Sequence, residues 1–165
     1  MATPEFILAL RERIGHDQLW LPGVSVVVID EDGRLLLGRR ADNDQWAVIS
    51  GIPEPGEQPG AAAVRECLEE TGVAIELLGL THVGAGAPKT FANGDRCVFM
   101  DIDFVARPAA GAGPARVADD ESTEVGWFAP GELPDPLMDS ARRRIAAARA
   151  WLTSPAAPTA PAAFD

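Results

Sequence analysis

The sequence GIPEPGEQPGAAAVRECLEETGV, residues 51–73, is the most informative part of the chain, because its composition predicts a rigid loop that leads directly into a short helix. Residues 50–60 hold three prolines and three glycines, a composition that is typical of a loop. Residues 61–70 contain no helix breaker, and Gly72 stands where a glycine commonly ends a helix. The sequence therefore predicts a helix over 61–70 that follows a constrained loop.

Three glutamates of this predicted helix share one face. Glu66, Glu69 and Glu70 stand at i, i+3 and i+4, so their carboxylates lie within an arc of about 100°. Repulsion costs roughly 0.2–0.5 kcal/mol per pair, and the helix dipole disfavours each anion in the last turn by roughly 0.3–1 kcal/mol. No lysine or arginine follows within a turn. Two interpretations stay open, a solvated acidic face or a site for Mg²⁺ or Mn²⁺, which prefer oxygen ligands.

The whole stretch resembles the Nudix box of the Nudix hydrolases. The resemblance continues in the segment 35–40, in Trp46 and in the segment 124–128, and it covers about residues 20–150. It implies an α/β fold, an α/β/α sandwich around a mixed β-sheet, and metal-dependent hydrolysis of a nucleoside diphosphate linked to another group. The matched box positions are Gly51, Glu57, Arg65, Glu66, the apolar slot at Cys67, Glu69, Glu70, Gly72 and Val73.

The resemblance assigns roles to individual residues of the box. Glu66, Glu69 and Glu70 correspond to the family's metal-binding and catalytic glutamates, with Mg²⁺ or Mn²⁺ as the cofactor. Glu57 and Arg65 correspond to its structural ion pair. The residue before the box glycine commonly offers its carbonyl to a metal, and here that residue is Ser50. The segment 49–51 reads Ile-Ser-Gly where many members have Pro-Gly-Gly, which is a departure from the pattern.

Further candidates lie outside the box. Glu121, in an acidic cluster before the last predicted strand, is expected as a further catalytic carboxylate, with a solvated loop as the alternative. Arg40 is expected to contact phosphate, or else to cap a hairpin. Pro88 lies near a downstream proline of ADP-ribose-cleaving members, one residue out of register.

The resemblance therefore favours ADP-ribose or another nucleotide sugar over a nucleoside triphosphate. The alternative function is a catalytically weak or inactive nucleotide-binding sensor module that keeps the fold.

Composition excludes several other classes of function. The 165 residues, 47% of them hydrophobic, suit one domain, and 14 basic against 25 acidic residues give a net charge of −11. Such a chain repels polyanions and anionic membranes, so we expect no nucleic acid and no membrane partner, while a small phosphorylated ligand stays possible if a divalent cation mediates the contact. The resemblance implies that this ligand is a small nucleotide substrate. Two cysteines, Cys67 and Cys97, are too few for a disulfide scaffold, which favours a reducing compartment. The start of the sequence shows neither the pattern of a signal peptide nor that of a membrane span, so a cytoplasmic location is expected. Members of the Nudix family are often dimers, so the resemblance also allows a homodimer.

We predict three segments along the chain. Residues 1–19 form a helical segment packed on the domain, with Phe6, Leu10 and Ile14 on its apolar stripe. Residues 20–152 form the Nudix domain, and 153–165 a disordered tail rich in proline and alanine. Within the domain, strands 24–29 and 34–39 are expected to pair as a hairpin. Residues 107–116 are expected to be an exposed connection of low order.

Overall fold

A computed structural model of the chain describes residues 3–154, and most of the predicted tail lies outside this range. Among the described residues, no helix is both long and apolar enough to cross a membrane. The helices are α1 (Glu5–Ile14), α2 (Pro59–Thr71) and α3 (Asp139–Leu152). The strands are β1 (Leu19–Val28), β2 (Leu35–Arg40), β3 (Trp46–Ala47), β4 (Ile49–Gly51), β5 (Ile75–Ala85), β6 (Lys89–Thr90), β7 (Arg96–Pro108) and β8 (Ser122–Phe128).

The strands form two sheets. A mixed sheet has the order β4-β1-β7-β5, with β6 added to β7, and β1 and β7 in it run parallel. A smaller antiparallel sheet has the order β3-β2-β8. The predicted α/β class with a mixed sheet is confirmed, although the strands are divided between two sheets rather than gathered in one.

The core shows the layers directly, because successive residues of a strand face opposite sides. In β1, Val26 and Val28 belong to a buried cluster that includes Ala63 and Cys67 of α2. Val27 between them belongs to a second buried cluster, which includes Ala141, Ile145 and Ala148 of α3. The two helices therefore cover opposite faces of the sheet, as in a sandwich.

The predicted hairpin of β1 and β2 is wrong. The turn between them forms, since the Asp30 carboxylate accepts the backbone N–H of Arg34 at 2.8 Å. Beyond one isolated bridge between Ile29 and Leu35, the strands separate into different sheets. Residues 24–28 of β1 are buried on both faces, and the neighbours of β1 are the distant β4 and β7 rather than the strand next in sequence.

The predicted apolar stripe of α1 also needs correction. In α1 the buried residue is Ile7, which packs with Leu21, Ile52 and Cys97, whereas Leu10 of the predicted stripe is 38% exposed. Phe6 of the predicted stripe packs against the same cluster, so the predicted stripe is right at Phe6 and wrong at Leu10.

The segment 107–116 is not simply an exposed connection. Ala112 and Ala115 pack against the cluster that includes α2, and the backbone N–H of Arg116 donates to the Thr71 carbonyl at 3.0 Å. The connection therefore covers the end of α2.

Candidate active site

The ends and the apolar side of α2 fix which glutamates face inward. Pro59 takes the first turn, where its missing N–H costs nothing, and Gly72 ends the helix in the left-handed conformation at φ 70°. With Cys67 in the core, Glu66 and Glu70 are turned inward and are 9% and 7% exposed. The Glu69 side chain stays 55% exposed. The three carboxylates of the acidic face therefore lie in different surroundings.

The glycine that opens the box is required by the position of Glu66. A Cβ added to Gly51 would lie 2.0 Å from the carboxyl carbon of Glu66 and 2.1 Å from its Oε1 atom. Any side chain at position 51 would occupy the space of that carboxyl group. Gly51 thus allows Glu66 to lie directly against the backbone of β4.

Arg65 joins the loop before α2 to the glutamate face. Its Nε and Nη2 atoms donate to the two carboxylate oxygens of Glu57, each at 2.9 Å. Its Nη1 atom lies 2.8 Å from Glu69 and 3.0 Å from Glu66. The hydrogen bonds from Arg65 lower the pKa of Glu57, whose carboxylate also accepts the Glu54 N–H at 2.9 Å. One guanidinium thus serves three carboxylates, which spacing alone did not reveal.

The loop before β8 brings Glu121 to the inward-facing glutamates. Its backbone carbonyl accepts the N–H of Ala41 at 2.9 Å, and its own N–H donates to Asp119 at 3.0 Å. Burial raises the pKa of Glu70 to about 8, with further contributions from the charges of Glu121, Glu66 and Asp119. Burial likewise raises the pKa of Glu66 to about 7, opposed by Arg65. Negative charge from two distant parts of the chain is therefore concentrated at one place.

A cavity of about 250 Å³ opens beside these carboxylates. Four of the nine predicted site residues line it, while Ser50, Glu57, Glu70, Arg40 and Pro88 are not among its lining residues. Thr3 and Pro4 at the start of the described chain also line it, although no sequence signal pointed to them. The lining residues are Thr3, Pro4, Ile52, Glu54, Arg65, Glu66, Glu69 and Glu121.

Arg40 lies close to the site without lining the cavity. Its guanidinium donates to both oxygens of Asp42, at 2.8 and 2.6 Å. These hydrogen bonds raise the pKa of Arg40, and the charges of Glu70 and Glu121 add to the increase. The pKa of Lys89 is lowered by burial and by the charge of Arg40, so the two cations are neighbours. Pro88 precedes Lys89 in the chain and is exposed.

The donor set suits a hard divalent cation, since four carboxylates supply only oxygen atoms. Within residues 3–154, no three His, Cys, Asp or Glu side chains already stand in an arrangement that holds a metal ion. Arg65 draws Glu66 and Glu69 towards itself. The oxygen donors fit a divalent cation by their chemistry, while Arg65 pairs with two of them in this structure.

The structure has a mixed sheet between helices, with buried glutamates on one helix beside a cavity, which is the arrangement that the resemblance to the Nudix hydrolases implied. The profile of the NUDIX domain matches residues 19–149, and the chain belongs to this family of hydrolases.

Named relatives and a solved structure agree with this assignment. A MutT-like protein of Streptomyces ambofaciens is 35% identical over 116 residues, 70% of this chain and 68% of that protein. A putative 8-oxo-dGTP diphosphatase of Bacillus subtilis is 30% identical over 127 residues, 77% of this chain and 78% of that protein. The crystal structure of a MutT NUDIX hydrolase from Burkholderia pseudomallei superposes with a TM-score of 0.64 at 28% identity, covering 78% of this chain and 97% of that one. The chain is thus a hydrolase of phosphoric anhydride bonds.

Proposed function

We propose that this protein is a Mg²⁺- or Mn²⁺-dependent pyrophosphohydrolase that cleaves a P–O bond in a nucleoside diphosphate derivative. The observation that carries the proposal is the meeting of the buried Glu66 and Glu70 with Glu121 beside a cavity. Buried carboxylates repel one another unless protons or cations balance them. A divalent cation balances them and also attracts a diphosphate, so an acidic protein acquires affinity for an acidic substrate.

In this proposal some residues of the site bind the cations, and others keep those residues in position. When bound, divalent cations neutralise the diphosphate and lower the pKa of a bound water. Glu66, Glu69 and Glu70 supply their oxygen ligands in the proposal, with the backbone carbonyl of Ser50 as an additional donor. Glu121 approaches from a different loop and accepts the proton of the attacking water or completes the ligand set.

The surrounding residues keep these groups in position. Arg65 holds the loop to α2 through Glu57. Arg40 is proposed to meet a phosphate group at the side of Glu70 and Glu121, whose charges contribute to its raised pKa.

We further propose a nucleoside triphosphate as the first substrate to test, ahead of ADP-ribose. The two relatives that match most of this chain are named a MutT-like protein and a putative 8-oxo-dGTP diphosphatase. The sequence favoured ADP-ribose on the strength of Pro88, which is one residue out of register and exposed. The order of preference therefore changes, and both classes belong in the assay.

A substrate panel with two glutamate variants tests the proposal. Phosphate or pyrophosphate release is measured for nucleoside triphosphates, 8-oxo-dGTP and ADP-ribose, with and without Mg²⁺ or Mn²⁺. Glu66→Gln and Glu70→Gln are expected to lower turnover by at least about 100-fold, because both remove charge that holds the cation. Glu132→Gln, at an exposed position away from the cavity, is the matched control and is expected to keep activity.

Two outcomes would count against the enzymatic assignment. Wild-type turnover in both glutamate variants would contradict the proposed mechanism. Nucleotide binding without turnover of any substrate would support the sensor module instead, with the Ile-Ser-Gly segment at 49–51 as the first place to look for the cause.

A further inference from the structure

The segment before the NUDIX domain is attached to it at two points. Residues 3–15 precede the matched range 19–149, yet Ile7 is only 4% exposed and packs with Leu21, Ile52 and Cys97. This is an apolar anchor in the first turn of α1.

A polar anchor lies one turn further along. The Arg11 guanidinium donates to the backbone carbonyls of Gly15 and Arg96 at 3.0 Å each, and its Nε atom lies 3.3 Å from Asp95. The Arg11 side chain is only 11% exposed, unlike a mobile surface arginine. The segment is therefore fixed against β1 and the start of β7.

This attachment determines what borders the cavity. Thr3 and Pro4 line it together with Glu66 and Glu121. The Pro4 carbonyl accepts the N–H groups of Ile7 and Leu8 at 2.9 and 3.2 Å, so the position of Pro4 follows that of α1. Ile52 belongs both to the cluster around Ile7 and to the cavity lining, and it connects the apolar anchor to the site.

The bordering residues bring bulk rather than charge. Thr3 and Pro4, the residues of this segment that line the cavity, carry no ionic group, and the Arg11 guanidinium of the polar anchor donates to backbone carbonyls instead. A cavity of about 250 Å³ is also small beside typical ligand pockets of ~300–1,000 Å³. Thr3 and Pro4 therefore act on a ligand sterically, by limiting the space that it can occupy.

We propose that residues 3–15 form a wall of the substrate cavity that limits the size of the group accepted beside the diphosphate. The wall makes the enzyme prefer free nucleotides to a 5′-triphosphorylated oligonucleotide. This inference rests on the proposed function, because it concerns the substrate of the same site.

The test loosens the wall without touching the glutamates. Arg11→Ala removes the polar anchor and Ile7→Ala the apolar one, with Arg13→Ala and Leu8→Ala as matched controls on exposed positions of the same helix. The readout is kcat/KM for a nucleoside triphosphate against a short 5′-triphosphorylated oligonucleotide. We expect the preference for the free nucleotide to fall about tenfold in the anchor variants and to stay unchanged in the controls, with thermal melting verifying that each variant is folded.

A variant that fills the cavity tests the wall in the opposite direction and does not depend on loosening the fold. Thr3→Phe is expected to raise KM for the nucleotide by at least about threefold with little change in kcat, since it removes space and leaves the reacting groups in place. An unchanged nucleotide preference in Arg11→Ala and Ile7→Ala, together with an unchanged KM in Thr3→Phe, would overturn the proposal while leaving the hydrolase assignment intact.

Binding measurements separate this proposal from the proposed function. Affinities of a non-hydrolysable nucleoside triphosphate analogue and the same oligonucleotide are measured by calorimetry in Mg²⁺. If no nucleotide is turned over but the anchor variants gain oligonucleotide affinity relative to the controls, the proposed function fails and the wall stands. If wild-type protein binds neither ligand, or binds both equally well, the wall is refuted.

Discussion

Replacing Gly51 by alanine tests the close packing of Glu66 against β4. The added Cβ would stand 2.0 Å from the Glu66 carboxyl carbon, whereas carbon atoms in contact require about 3.5 Å. The carboxyl group must therefore move by about 1.5 Å. Misplacement of a reacting or ligating group by about 1 Å costs about 100-fold in rate, so we expect kcat/KM to fall by at least that factor.

The same change is expected to have a small effect on stability. The obstructed atoms end a side chain that is able to rotate, so overpacking costs about 1–3 kcal/mol at most. The loss of glycine's freedom in the unfolded chain returns about 0.4–1 kcal/mol. The variant should therefore fold and melt within several degrees of the wild type while binding Mg²⁺ or Mn²⁺ more weakly.

The assay combines turnover, metal titration and melting for Gly51→Ala, with Gly131→Ala as the control because a Cβ there meets no atom within 4 Å. Gly51→Ala is also made in the Glu66→Gln background. Since both changes act through the same carboxyl group, their effects on kcat/KM should not add. Activity of Gly51→Ala within a factor of about three of wild type, or fully additive losses in the double variant, would refute the reasoning.

Three other predictions concern pH and packing. The pKa values of Glu66 and Glu70 are raised to about 7 and about 8. Above about pH 4.5 the metal-free folded state therefore binds more protons than the unfolded state. The melting temperature should consequently fall from about pH 5 to about pH 8. Mg²⁺ should stabilise more at the upper end of this range; a flat melting profile would contradict the shifts. Gly79→Ala places a Cβ 2.0 Å from the ring of Trp151 and should destabilise the packing of α3 by about 1–3 kcal/mol in urea titration, without changing metal affinity. Arg144→Met removes the partner of the buried Asp103 carboxylate. It should lower the free energy of unfolding by about 3–5 kcal/mol near neutral pH, which calorimetric unfolding would measure.

Local chemistry made α2 predictable. Its loop was identified from prolines and glycines, and its end from Gly72, because these residues restrict the backbone wherever the chain later packs. The helix runs over Pro59–Thr71 rather than 61–70, since proline fits a first turn that the prediction had left in the loop.

Pairing over long distances was not predictable in the same way. The turn after β1 has the residues of a hairpin turn, yet β1 lies parallel to β7, with Val24 opposite Ile102. The partner of a strand buried on both faces depends on which other strands remove its apolar side chains from water, and that choice involves the whole chain. The same limit applies to the cavity, because Thr3 and Pro4 reach it only through the packing of α1.

The role of Arg65 also needed coordinates. The resemblance predicted an ion pair between Arg65 and Glu57. In the structure this pair uses one edge of the guanidinium, whose Nε and Nη2 atoms donate to Glu57. The remaining Nη1 atom meets Glu66 and Glu69. A planar fork allows this division, since its donors point in fixed directions. One edge of Arg65 thus holds the loop, while the remaining Nη1 atom balances the charge of the helix carboxylates.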